Sequence, residues 1–355
     1  MFYQCPKCKG VWEYPVEKCP ECFLKLERLK SEKLRVIGIS KVTIPSVFHP
    51  RVPYFVLLLE DGNGNRWVQK SIKEYKIGDE FKIECSSPGD EQGRGAVAIW
   101  RVKYDFLEAI EKVINLVAGL KINSETKILL LPALVSASHS YFRDNTSPEF
   151  LEAILKILFE IGIKPENIKV CAQSFDEIEI GAKAQKSGLL EVCQKNKVLP
   201  FDLAKGNFVK KAPHQNLGEG LEISEEVFKT DFILNLPILK IEKASASENV
   251  LKFLKKENYL GLKYLYSDEE IMENLNKVLP SYLTIADGQL VQKSNKFTAF
   301  LGLTLASFNP LNLDRVFAEI TMIRDLPESL KKVKIEEIPI VGRKVEELQY
   351  NIEKI

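Results

Sequence analysis

Charge of one sign is missing from this chain. Fifty basic residues against 49 acidic ones leave a net charge of +1. No global field therefore draws it toward nucleic acid or an anionic membrane. Histidine is scarce: His49, His139 and His214 are the only three and share no metal-ligand spacing, so a histidine-built metal centre is not expected. No apolar run is long enough to span a bilayer, so no membrane association is expected. No serine stands in a Gly-x-Ser-x-Gly elbow, which removes support for a hydrolase triad. Gly89, Gly93 and Gly95 have loosely dinucleotide-loop spacing but precede a strand pattern instead of opening a helix. No internal repeat or low-complexity segment occurs. Met1-Phe2-Tyr3-Gln4 runs straight into the first cysteine, so no secretory leader is expected.

What is present begins with sulfur. Cys5-Pro-Lys-Cys8 and Cys19-Pro-Glu-Cys22 form two matched pairs. Two intervening residues let both thiols of a pair face one ion from a tight turn, and two such turns complete a tetrahedral shell of four thiolates. The proline after the first Cys of each pair stiffens the turn. A closed four-thiolate shell leaves no open position, which predicts a structural metal. Zinc is expected over iron. The ligand set also suits iron, but a rubredoxin places a Gly after each pair and a longer gap between pairs, and here Lys9 and Phe23 follow the pairs. Cys85, Cys171 and Cys193 sit in apolar stretches and read as buried free thiols. Four metal-bound thiolates suit a reducing compartment, so a cytoplasmic location is expected.

The patterns predict a multidomain chain. Residues 1–26 are too few to bury a core, so the metal must hold them as a zinc ribbon. Residues 27–103 carry five short strand patterns: Leu34–Val42, Pro53–Glu60, Arg66–Gln69, Phe81–Cys85 and Ala96–Trp100, with a hairpin turn at Asp61-Gly-Asn-Gly64. Five such strands suggest a small OB-type β-barrel. Helical spacing from Phe106 to Val117 marks a connecting helix within 104–124. Residues 125–355 then alternate strand and helix, which predicts an α/β domain with a mainly parallel sheet. Its expected elements include a buried strand at Lys127–Pro132 and a helix opened by Ser147-Pro148. A helix through Ala182–Cys193, a strand ending in a turn at Asp287-Gly288 and a helix from Leu313 are also expected.

The first hundred residues resemble a rubredoxin-like zinc ribbon followed by an OB fold, the module known as domain of unknown function 35. The likeness rests on Cys5, Cys8, Cys19 and Cys22, on Val52–Gly62, and on Tyr75-Lys-Ile-Gly-Asp79. It implies a module that binds acyl-CoA or holds thiolase-type enzymes together. Residues from about 125 to 345 resemble the family called domain of unknown function 362. Carrying this are Leu131-Pro-Ala-Leu134, Thr146-Ser-Pro-Glu149, Leu236-Pro-Ile-Leu-Lys240, Asp287-Gly288 and Asp314. The first lysine, the asparagine and the histidine of that family's pattern are replaced here, as is a Gly-rich turn near Asp287. No iron–sulfur cluster run of the kind some members carry is present.

Candidate catalytic residues follow from position. Lys240 at a strand's carboxyl end could bind a phosphate or carboxylate, or stand solvated. Asp287 could hold a ligand hydroxyl or a metal, although Asp-Gly also marks a plain turn. Asp314 suits a helix N-terminus, where a carboxylate opposes the macrodipole without further function. His139 lies on a polar loop after the first strand of the α/β region. Asp144, Asp176 and Glu177 could join Asp287 in an acidic cluster. The expectation is a metal-containing binding or scaffold protein. Its ribbon–barrel module recruits a protein partner or an acyl-CoA-like ligand, and its α/β domain presents a crevice. The alternatives are a divergent enzyme with redox or acid/base chemistry at Lys240, Asp287, Asp314 and His139, and a nucleic-acid binder, which the charge balance disfavours.

Overall fold

A computed structural model describes residues 2–12, 18–29, 34–46, 49, 52–81, 95–103, 105–198, 200–212, 220–241, 243–293 and 297–352. Cys85, Gly89, Gly93 and His214 lie outside the described residues.

Strands β1 (Phe2–Gln4), β2 (Val11–Trp12) and β3 (Glu27–Leu29) form a three-stranded antiparallel sheet in the order β2-β1-β3. Among the residues up to Leu29 whose burial is described, only Cys5 and Cys19 are buried. Apart from these cysteines, no apolar side chain is buried among those residues.

Next come β4 (Leu34–Val42), β5 (Tyr54–Asp61), β6 (Arg66–Ser71) and β7 (Glu80–Phe81), a four-stranded antiparallel sheet ordered β6-β5-β4-β7. The period-two pattern of β5 puts Phe55, Leu57 and Leu59 inward with Val36 and Phe81. Its last residue, Asp61, is buried, and Oδ1 accepts from the amides of Asn63 and Asn65, which fixes the expected hairpin.

The fifth strand corrects the sequence reading. Strand β8 (Val97–Arg101), expected to close the barrel, pairs with neither β4 nor β6. It belongs to the large nine-stranded sheet. Alternation marks a strand but not its partner, and β8 is apolar on both faces, as a covered sheet requires.

That sheet dominates the remainder. Helix α1 (Phe106–Leu116) follows β8, then β9 (Ile128–Pro132), α2 (Pro148–Glu160), β10 (Ile168–Ala172), α3 (Ile180–Ser187), α4 (Leu189–Lys195) and β11 (Pro200–Asp202). A separate antiparallel hairpin, β12 (Phe208–Lys211) with β13 (Leu221–Ser224), precedes β14 (Phe232–Leu236), β15 (Ile238–Lys240) and the helices α5 (Ser245–Glu248), α6 (Lys256–Leu262) and α7 (Asp268–Val278). Strands β16 (Tyr282–Gln292) and β17 (Thr298–Ser307) lead to α8 (Pro310–Thr321), α9 (Glu328–Lys331), β18 (Ile340–Gly342) and α10 (Val345–Leu348). The order is β11-β10-β9-β14-β16-β17-β8-β18, with β15 also on β16. Neighbours run parallel except β16–β17 and β17–β8, giving a mixed, mostly parallel sheet in an α/β body.

Both faces are covered. Ile128 and Leu130 of β9 face a cluster with α1 and α2, while Leu129 and Leu131 face one containing Phe253, Tyr259 and Leu275. Helix α1 is thus part of the main core and not a bare connector. The helix expected over Ala182–Cys193 is two helices, broken at Gly188 with φ 82°. Among the described residues no helix is long and apolar enough to cross a membrane.

Candidate functional site

The four N-terminal cysteines converge: their Sγ atoms all lie within 4.8 Å of one another. Cys8 Sγ and Cys19 Sγ are 3.6 Å apart. Four sulfurs around zinc at ~2.3 Å would stand ~3.8 Å apart, so the cage fits a tetrahedral ion. The two pairs sit on matching turns. Cys5 N donates to Gly10 O at 2.9 Å and Lys9 N to Cys5 O at 3.1 Å; Cys19 N donates to Leu24 O at 2.9 Å and Phe23 N to Cys19 O at 2.8 Å. Lys9 and Phe23 hold φ of 62° and 55°, the left-handed geometry that glycine prefers. Cys22 N also donates to Cys19 Sγ at 3.4 Å. These residues could hold a metal ion, with no position left open for substrate.

A second polar centre lies at the carboxyl ends of the parallel strands. Asp287 is fully buried. Its Oδ2 accepts from Ser147 Oγ at 2.6 Å and Arg143 Nη1 at 3.1 Å, and Oδ1 accepts from Gln289 N at 3.3 Å. Burial pushes the Asp287 carboxyl above its usual range, while Arg143 and Ser147 pull it back. The Asp287-Gly288 turn expected from sequence is absent: both residues lie within β16. Gly288 is needed because a Cβ there would sit 3.0 Å from Leu303 O and 3.1 Å from Leu239 Cδ1. Ser147 is the N-cap residue of α2, but its hydroxyl turns to Asp287 and makes no side-chain cap bond.

Lys240 ends β15 and is not solvated. Its Nζ pairs with Asp144 Oδ1 at 3.0 Å. Gln292 Nε2 donates to the same Oδ1 at 3.2 Å, and Ser136 Oγ to Oδ2 at 3.1 Å. Burial opposes ionisation of Asp144, but Lys240, Gln292 and Ser136 together hold its carboxyl below the ordinary value. Because Arg143 and Asp144 are adjacent, the two ion pairs form one network.

Asp314 departs from expectation as well. Asn309 caps α8, and Asp314 lies inside it. From there its carboxylate caps another helix, accepting from Ala246 N at 3.0 Å, Ser247 N at 2.9 Å and Ser247 Oγ at 2.8 Å. Burial pushes it up to about 7 against those three donors. His139 does not join: it is exposed, and its Nδ1 accepts from Tyr141 N at 3.1 Å. Asp176 and Glu177 stay apart from Asp287 and bind Lys183 and Lys256 instead.

Sequence reasoning missed Arg143, Asn145, Asn235 and Asn249. Asn145 is buried, and Oδ1 accepts from Val135 N and Ser136 N, ordering the loop after β9. Asn235 Nδ2 donates to Ala246 O at 2.8 Å and Thr284 Oγ1 at 3.1 Å, and Asn249 Nδ2 donates to Asn235 Oδ1 at 2.8 Å. An asparagine inside an otherwise apolar strand, as in Phe232-Ile-Leu-Asn-Leu236, was the available signal.

These features define a class: an α/β protein with polar groups gathered at its parallel strand ends, preceded by small antiparallel sheets and a four-cysteine cluster that could hold a metal ion. The chain belongs to the family described as domain of unknown function (DUF362), whose model matches residues 128–319. It is similar to a structure titled "Ltp2-ChsH2(DUF35) aldolase", with 22% identity over 25% of this chain and 76% of that chain and a TM-score of 0.21. It is also similar to the lactate racemase apoprotein from Thermoanaerobacterium thermosaccharolyticum. There the identity is 13%, the TM-score 0.36 and the coverage 65% of this chain but only 57% of the racemase chain. No curated protein matches the chain.

Proposed function

We propose that this is a metal-stabilised binding protein. In this reading Cys5, Cys8, Cys19 and Cys22 hold a structural zinc ion, with iron the lesser alternative, in a ribbon spanning residues 1–26. The ribbon and the following antiparallel sheet recruit a partner or an acyl-CoA-like ligand, and the α/β body presents a crevice at its strand ends. A tetrathiolate centre suits a reducing compartment, for which we propose the cytoplasm.

One observation carries binding over catalysis in the body. Its candidate reactive groups neutralise one another: Lys240 with Asp144, and Asp287 with Arg143. A general base or electrophile needs an available proton site or charge, and these are engaged in closed pairs. The supported role for this network is to fix the loop after β9, the rim of any crevice there. Elemental analysis of purified protein should give one zinc per chain, and an acyl-CoA should raise its melting temperature in a thermal-shift screen. Protein without stoichiometric metal, or unmoved by acyl-CoAs, would overturn the respective half of the proposal.

A further inference from the structure

Strand β10 ends at Ala172, and the chain beyond it leads to α3. Gln173 is buried, and its Nε2 donates to Lys252 O at 2.9 Å and Leu254 O at 2.6 Å. This ties the segment Asn249–Phe253 to the strand end. Lys183 and Lys256 both bond Asp176 there, and Lys252 lies near enough to feel their charges. Lys183, its side chain 1% exposed, donates to Val135 O at 2.7 Å and Asp176 Oδ2 at 2.8 Å. Lys256 donates to Asp176 O at 3.1 Å and reaches Glu177 Oε1 at 3.4 Å, on a glutamate that is 99% exposed.

Lys252 is different. Its Nζ lies 3.7 Å from the centroid of the Phe175 ring, which stacks on Tyr259 at 4.7 Å. Among the described residues no carboxylate pairs with it. Asp176, the anion that Lys252 feels, is already committed to Lys183. Burial, then Lys183, push the Lys252 ammonium down to about 8, with Asp176 acting the other way. A part-buried cation beside two others, with its countercharge taken, lacks an anion. The place is the carboxyl end of a parallel strand, where open α/β sheets bind ligands.

We propose that Lys252 forms an oxyanion subsite that takes a phosphate group, while Lys183 and Lys256 stay paired with Asp176 and Glu177 and fix the loop beside it. Lysine serves phosphate as a compact point charge with three rotatable donors. The Phe175 ring faces the Lys252 ammonium and steadies it. The subsite shares no residue with the thiolate centre or the Lys240–Asp287 network, although Lys183 bonds the carbonyl of Val135 in the loop which that network holds, and it stands independently of the binding role proposed above.

Calorimetric titration of the metal-loaded full chain with inorganic phosphate tests it. Saturable binding is expected, and Lys252→Met, which keeps the stem and removes the charge, should weaken it by roughly tenfold or more. Lys252→Arg should retain most of it. Lys263→Met is the control: Lys263 lies over Tyr259 and pairs with Asp268, so its loss should leave phosphate binding unchanged. Melting curves of each variant show whether the fold is kept. Absence of saturable phosphate binding, equal affinity in Lys252→Met, equal weakening in Lys263→Met, or binding of acetate in preference to phosphate would each overturn the proposal.

Discussion

Replacing Arg143 with methionine tests the strand-end network most directly. Arg143 and Asp287 are both buried, their side chains 7% and 0% exposed, with Nη1 to Oδ2 at 3.1 Å. Removing one member of a buried pair typically costs about 3–5 kcal/mol, because the other charge is left without a partner. Here the remaining charge can escape by taking a proton, since burial already raises the Asp287 carboxyl. Losing Arg143 raises it further. The deficit relative to the wild type therefore grows as pH rises through the wild type's own folded-state value, which is itself above the ordinary one. Arg143→Met should cost less at pH 5 than at pH 8, where the loss approaches ~3–5 kcal/mol. Asp287→Asn should also be costly, through the orphaned guanidinium, but with no such growth. The double variant should recover roughly 1–3 kcal/mol of the summed losses. Urea unfolding of the metal-loaded protein at both pH values, followed by circular dichroism, reads these differences. A deficit under ~1 kcal/mol at pH 8, or one that does not change with pH, would refute the buried-pair reasoning.

Further expectations concern the metal centre and Asp314. Cys19→Ser should release the metal and loosen residues 1–26 while the α/β body stays folded, as elemental analysis and limited proteolysis would show; concerted unfolding of the whole chain would contradict it. Lys9→Gly and Phe23→Gly relieve left-handed geometry at φ 62° and 55°. Each should stabilise the loaded turn by roughly 1 kcal/mol, seen as slower metal loss to a chelator, and faster loss would count against it. Asp314 has a folded-state value of about 7, above the unfolded ~3.9. Its contribution is therefore full at low pH and falls as pH rises through 7, by up to ~4 kcal/mol. The stability of the wild type minus that of Asp314→Asn should decline from pH 4.5 to 7.5; a rise would mean that the three donors outweigh burial.

Local rules recovered what local chemistry decides. The Cys-x-x-Cys spacing named four residues that do meet, because each turn closes within itself. Strand and helix patterns held where one face or both faces are apolar, as in β5 and β9. The misses share a non-local cause. Ser147 satisfies every rule for a helix cap, yet its hydroxyl goes to Asp287, 140 positions away. Asp287-Gly288 reads as a turn, but the glycine answers to Leu303 and Leu239 on neighbouring strands. Asp314 was expected at a helix start, and it serves a different helix from inside its own. Arg143 carries no motif, and only the folded chain shows which acid it meets.

The placement of β8 decides where this molecule could be cut or exchanged. Its two sides are held by β17 and β18, so a truncation starting at residue 104 would pull a rib from the middle of that flank. Residues 340–342 would lose their anchor, and β17 would show an unprotected row of amides and carbonyls, an invitation to aggregate. A clean excision, in the laboratory or by genetic recombination, has to fall upstream of Gly95, so the sulfur-bearing head is not separable at the seam that helix α1 suggests.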